Sequence, residues 1–158
     1  MTSAPATGAL DALYKDVILE HRDCPRGYGA LPDANLRHEG FNPLCGDEVR
    51  LAALVGPSPE FKIEKLRFEG KGCAICMASA SILMEDAEGQ SQATILQKIQ
   101  DFRDLMQGKK EPSDFKGDAG ALAGVRAFPV RIKCALLPWT TLKEAFEGAG
   151  NPSTTEAV

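Results

Sequence analysis

Apolar residues alternate twice in the middle of this chain. Val49, Leu51, Ala53 and Val55 take every second position, and Leu66 and Phe68 interleave with Lys65 and Arg67 shortly after. A period of two belongs to a strand with one buried face. Gly56-Pro57-Ser58-Pro59 separates the two runs as a turn. The two strands therefore pair most simply as an antiparallel hairpin, and its apolar face demands a cover. The next segment supplies one. Beyond Gly70 to Gly72, the residues from Ala74 to Met84 are mostly small or apolar and include no glycine or proline. This predicts a buried helix, ended by Gly89. Ser91 is placed to cap a further helix with Ile95, Ile99, Phe102 and Met106 on its inner face.

Helical patterns flank this centre. Leu10, Leu13, Tyr14, Val17 and Ile18 recur at helical spacing before Pro25 and Gly27. Residues 26–47 are rich in Gly, Pro, Asn and Asp, and read as turns with one short strand near Leu36. Gly108 to Ser113 reads as a charged loop, and Asp118 as the cap of a short helix reaching Val125. Ile132, Ala135, Leu136, Trp139, Leu142 and Phe146 define a final amphipathic helix. Pro138 falls inside it and implies a kink or an irregular first turn. The fold class expected is α+β, a small antiparallel sheet of about three strands with helices packed on one face. A chain of 158 residues suits one domain. That domain is expected over residues 10–148, between a flexible N-terminus (1–9) and a flexible C-terminal tail (149–158).

Charge and hydropathy argue for neither a nucleic-acid nor a membrane partner. The formal net charge of −4 gives no footprint for nucleic acid. No apolar run approaches the length of a membrane span. Met1 to Gly8 lacks the charged and apolar regions of a secretory signal, so a cytoplasmic location is expected. Thiols stay reduced there. Five cysteines in such a chain point to metal or sulfur chemistry rather than to disulfides.

Three of the five stand in contexts marked by glycine or proline. Cys45 lies in Asn42-Pro43-Leu44-Cys45-Gly46-Asp47, where the loop leaves its sulfur accessible and Asp47 can reach the same ion. Cys73 sits where Gly70-Lys71-Gly72 enters a helix, and the positive end of the helix dipole favours its thiolate. Cys134 follows Phe128-Pro129-Val130-Arg131-Ile132-Lys133, near the start of the last helix, and taken alone it reads first as a core cysteine on that helix's apolar side. Three thiolates and a carboxylate match the ligand number of tetrahedral zinc. The same thiolates can hold an iron–sulfur cluster or carry sulfur as persulfide. Cys76 completes a C-x-x-C pair with Cys73 but lacks the βαβ setting of a thioredoxin-like site. It reads as a small core residue, with a spare ligand as the lesser alternative. Cys24 reads as an incidental thiol, and His21 and His38 as surface or locally hydrogen-bonded side chains.

Taken in order, these segments resemble the U-type iron–sulfur cluster assembly proteins, which include the NifU N-terminal domain and the IscU-like proteins. The similarity spans about residues 10–147. It is carried by Leu13-Tyr14-Lys15-Asp16-Val17-Ile18 with Pro25-Arg26, by the segment from Asn42 to Asp47, and by Phe68-Glu69-Gly70-Lys71-Gly72-Cys73 running into Met77-Ala78-Ser79-Ala80-Ser81. Met106-Gln107-Gly108-Lys109 and the segment from Phe128 to Cys134 complete it. The long connection between Cys73 and Cys134, and Lys133 where IscU-like proteins carry a histidine ligand, place the chain on the SufU side. The resemblance implies a SufE/NifU-like fold. It implies one Zn2+ on Cys45, Asp47, Cys73 and Cys134, with a [2Fe-2S] cluster or iron as the alternative cofactor. It also implies Cys45 as the acceptor of sulfur from a SufS-type cysteine desulfurase, with delivery to downstream iron–sulfur assembly proteins. In the family's mode of action a desulfurase histidine takes over one zinc position and frees the loop cysteine. Arg131 and Cys76 are accessory candidates, and Cys76 is a departure from the family pattern.

Overall fold

The computed structural model describes residues 14–148 and the backbone of Ser153–Thr154. A helix that includes residues 14–23 (α1) comes first. Strands β1 (Leu36–Asn42), β2 (Asp47–Val55) and β3 (Ile63–Lys71) follow, then helices α2 (Ala74–Ala87) and α3 (Gln92–Met106). Two 3-10 segments, Pro112–Asp114 and Asp118–Ala127, lead into α4 (Pro129–Phe146), and Ser153–Thr154 form a short β4. The strand order is β3-β2-β1-β4. The first three strands are antiparallel, and β4 runs parallel to β1. The architecture is the expected α+β.

Register explains the one-sided burial. Gly40 pairs with Val49, Asn42 with Asp47, Leu51 with Phe68 and Ala53 with Leu66. These residues share one face of the pleat, and all of them are buried. Helices α2 and α4 pack against the sheet. Helix α2 is buried nearly all round, at Cys76, Ala78, Ser79, Ala80, Ser81, Ile82, Leu83 and Met84, as its unbroken small-residue sequence requires. Trp139 of α4 stacks on Phe102 of α3, with centroids 4.3 Å apart and planes 10° from parallel. Its Nε1 donates to Ser79 Oγ of α2 at 2.9 Å. One tryptophan thus joins three helices.

Several elements differ from expectation. The strand near Leu36 is a full seven-residue strand. Of its core-side positions Leu36, His38, Gly40 and Asn42, only Leu36 is apolar, so it carries no alternating apolar signal. A Cβ on Gly40 would strike Thr141 Oγ1 and lie 3.0 Å from Leu137 Cδ1, because α4 crosses directly above it. Helix α4 begins at Pro129 and continues through Pro138. Pro138 has no N–H to give the carbonyl of Cys134, four residues earlier. The cap of the 118–127 segment is Gly117 rather than Asp118. The flexible termini expected over 1–9 and 149–158 lie outside the described residues, apart from Ser153–Thr154, which pair with Gly40 and Phe41.

His38 belongs to β1 rather than to a turn. His21 is fully buried, and its partners are distant in sequence. Its Nδ1 meets Ser81 Oγ at 2.7 Å, and its Nε2 meets Asp118 Oδ2 at 2.7 Å. This imidazole ties α1 to α2 and to the 118–127 segment. His21→Ala leaves two polar groups short of a partner, and the expected cost is about 1–3 kcal/mol in denaturant unfolding.

Candidate metal centre

The β1–β2 connection is a four-residue hairpin loop, Pro43-Leu44-Cys45-Gly46, closed by the Asn42–Asp47 pair. The carbonyl of Asn42 accepts the N–H of Gly46 at 2.8 Å and that of Cys45 at 3.3 Å. Gly46 takes φ +73°, a conformation that suits glycine. Cys45 therefore stands on a tight turn, half-buried. Asp47 begins β2 and points to the core side, 1% exposed. Its Oδ1 accepts the N–H of Cys73, the N-cap residue of α2, at 2.9 Å. Cys134 enters from the second turn of α4 and is fully buried.

The ligand atoms of Cys45, Asp47 and Cys134 all lie within 4.8 Å of one another. Three elements thus converge two sulfurs and a carboxylate. The Cys73 sulfur falls outside that mutual set, though its side chain interacts with the Cys134 thiol. Burial pushes the Cys134 thiol up, and hydrogen bonds to Asp47 and Cys45 add to the rise. The Arg131 guanidinium lies beside the same sulfurs. Its pKa is raised, first by a hydrogen bond to Cys134 and then by the charge of Cys73. Cys76 is fully buried in α2, and desolvation pushes its thiol well above the usual range. Cys24 is exposed and apart from the cluster.

Asn42 is the site residue that the sequence reading did not single out. It is fully buried, and its Nδ2 donates to Asp47 Oδ2 at 3.1 Å and to Cys134 Sγ at 3.3 Å. The available signal was the pairing of a strand-end asparagine with an aspartate across a hairpin loop. A second cluster, His21, Glu85 and Asp118, also brings three ligand types within 4.8 Å. Both ring nitrogens of His21 are already engaged there, so the cluster serves as the tie described above.

The model of the NifU-like N terminal domain family matches residues 13–135. The chain belongs to that family. Among the family's relatives it is 42% identical over 145 residues to the zinc-dependent sulfurtransferase SufU of Bacillus subtilis, covering 90% of this chain and 96% of that protein. It is 37% identical over 147 residues to the iron–sulfur cluster assembly scaffold protein IscU of Streptococcus pyogenes, covering 92% and 90%. A solved structure from Fervidobacterium islandicum AW-1, a candidate iron–sulfur cluster assembly scaffold protein for the SUF system, superposes with a TM-score of 0.76. It shares 33% identity and covers 82% of this chain and 93% of that one.

Proposed function

We propose that this NifU-like domain is an iron–sulfur cluster assembly protein that binds one zinc and works as a sulfur acceptor. Its ligands are Cys45, Asp47, Cys73 and Cys134, and its donor is a pyridoxal-phosphate cysteine desulfurase of the SufS type. Downstream assembly proteins receive the sulfur, and a cytoplasmic setting keeps the thiols reduced. The observation that carries the reading is the convergence of Cys45, Asp47 and Cys134 ligand atoms within 4.8 Å. A set of sulfurs and one carboxylate oxygen fits zinc, which takes both donor types tetrahedrally. Cys73 adjoins that set at the N-terminus of α2 and supplies the fourth donor. Bound zinc keeps its thiolate ligands deprotonated near neutral pH.

The transfer itself falls to Cys45. Its thiolate attacks the terminal sulfur of the desulfurase persulfide. A new S–S bond forms on Cys45, the enzyme's S–S bond breaks, and the enzyme cysteine leaves as thiolate. Cys45 ends as the persulfide, with no net oxidation. Of the three thiols Cys45 alone lies on a loop, whereas Cys73 and Cys134 are held at or within helices.

A second reading, a scaffold on which a [2Fe-2S] cluster is built, draws support from relatives that carry the scaffold name. Metal analysis combined with desulfurase turnover separates the two. The acceptor reading expects colourless protein with one zinc per chain and faster desulfurase turnover in its presence; brown protein with visible absorbance supports the scaffold. Cys76→Ser is expected to keep the full zinc content, because that thiol is buried in α2 and held neutral by desolvation. Loss of metal from Cys76→Ser would show that the ligand set is misassigned.

A further inference from the structure

One polar side chain at the centre has no part in the chemistry above. Asn42 is fully buried at the end of β1. An amide nitrogen carries two N–H donors, and here the acceptors are the Asp47 carboxylate at 3.1 Å and the Cys134 sulfur at 3.3 Å. Its Oδ1 accepts the N–H of Leu44 at 3.3 Å. One residue therefore touches a carboxylate from β2, a sulfur from α4 and the loop that presents Cys45.

We propose that Asn42 is a positioning residue of the metal centre, holding Asp47 and Cys134 at ligating distance from each other without binding the ion. The proposal rests on the zinc reading above. Its amide nitrogen has no free lone pair to offer a metal, and its oxygen is turned to the loop backbone. Asp47 and Cys134 arrive from different elements and stand 87 residues apart in sequence. A carboxylate and a thiolate brought together in a buried site repel each other, and a neutral group donating one N–H to each offsets that repulsion while fixing both atoms. Aspartate at this position keeps the acceptor for Leu44 but loses both donors and adds a further negative group beside Asp47 and Cys134. Alanine leaves Asp47 Oδ2 and Cys134 Sγ without this donor. Outer-shell partners of metal ligands carry effects of this kind on affinity.

The test compares the full-length wild type with Asn42→Asp, Asn42→Ala and Ile99→Val. Ile99 is buried in α3, a helix that supplies none of the proposed ligands, so its variant controls for a general loss of stability. Zinc affinity is read by chelator competition, and ligand geometry by the absorption bands of the cobalt-substituted chain. Both Asn42 variants are expected to bind zinc about 10–100-fold more weakly and to shift the cobalt bands, with Ile99→Val changing neither. Asn42 variants that hold zinc within about twofold of wild type, with unchanged cobalt bands, overturn the proposal while leaving the zinc reading intact. If a variant folds only with metal present, the cobalt bands of its loaded form decide the matter, and unchanged bands again overturn it. A wild-type chain that takes up neither zinc nor cobalt through thiolates defeats the zinc reading, and this inference with it.

Discussion

Cys45→Ala is expected to return desulfurase turnover to the rate measured without the protein. The acceptor chemistry needs a thiolate that can leave the site and reach a partner's persulfide, and an alanine supplies no nucleophile for that step. The position allows the loss to be read cleanly. Cys45 stands half-buried on the loop 43–46, between two strands whose hydrogen-bonded pairing does not use its side chain. Its side chain packs against the margin of the core without being enclosed by it, so the stability change in the metal-free chain is expected to stay near about 1 kcal/mol, short of unfolding it. Cys134→Ala makes a useful contrast. That thiol is fully buried and packed in the hydrophobic core, so its removal costs stability as well as metal. Sulfide or alanine release, followed with circular dichroism on the same samples, checks both halves. Normal stimulation by Cys45→Ala would remove the acceptor role; loss of stimulation with an unfolded chain would instead assign Cys45 a structural part.

Much of this arrangement was legible in the chain itself, where each residue's local pattern agreed with its tertiary setting. The alternation of Val49, Leu51 and Ala53 with Leu66 and Phe68 gave β2 and β3 because the same residues line the buried face. Ser91 gave the start of α3 because its hydroxyl accepts the N–H of Thr94 at 3.3 Å. What stayed hidden depends on contacts between distant segments. Strand β1 buries a glycine and an asparagine where apolar residues would mark a strand, since Gly40 must let α4 close over it and Asn42 must serve the site. His21 looked like a surface histidine because nothing local reveals Ser81 and Asp118, its partners across the fold. At the candidate centre the thiols and Asp47 stood out by residue type, spacing and family resemblance. Asn42 did not, because an asparagine beside a proline is the common currency of turns, and only burial shows that it faces inward.

Removal of the metal is expected to lower the thermal midpoint by roughly 8–16 °C while leaving a folded chain. The proposed ligands come from the loop 43–46, β2, the N-cap of α2 and the second turn of α4. An ion held by all four ties the sheet to both helices that cover it. Binding to the folded state alone contributes about 4 kcal/mol when free metal stands at a thousand times its dissociation constant. A domain of this size shifts by roughly 2–4 °C per kcal/mol, which gives the range stated. Full unfolding, as in small zinc fingers, is not expected here. The core of Val49, Leu51, Leu66, Phe68, Ile82, Phe102 and Trp139 is buried independently of the site, and the Trp139–Ser79 and His21–Asp118 contacts join its helices without any ion. The loss should concentrate where the anionic ligands face one another, with amide exchange rising first at the loop 43–46 and the first turn of α2 and least at Ile99 and Phe102 of α3. Calorimetry with and without chelator, paired with hydrogen exchange, checks the size and the place of the effect. An unchanged midpoint, with exchange equal across the chain, would mean that no ion bridges these elements and that the sulfurs are gathered for another purpose.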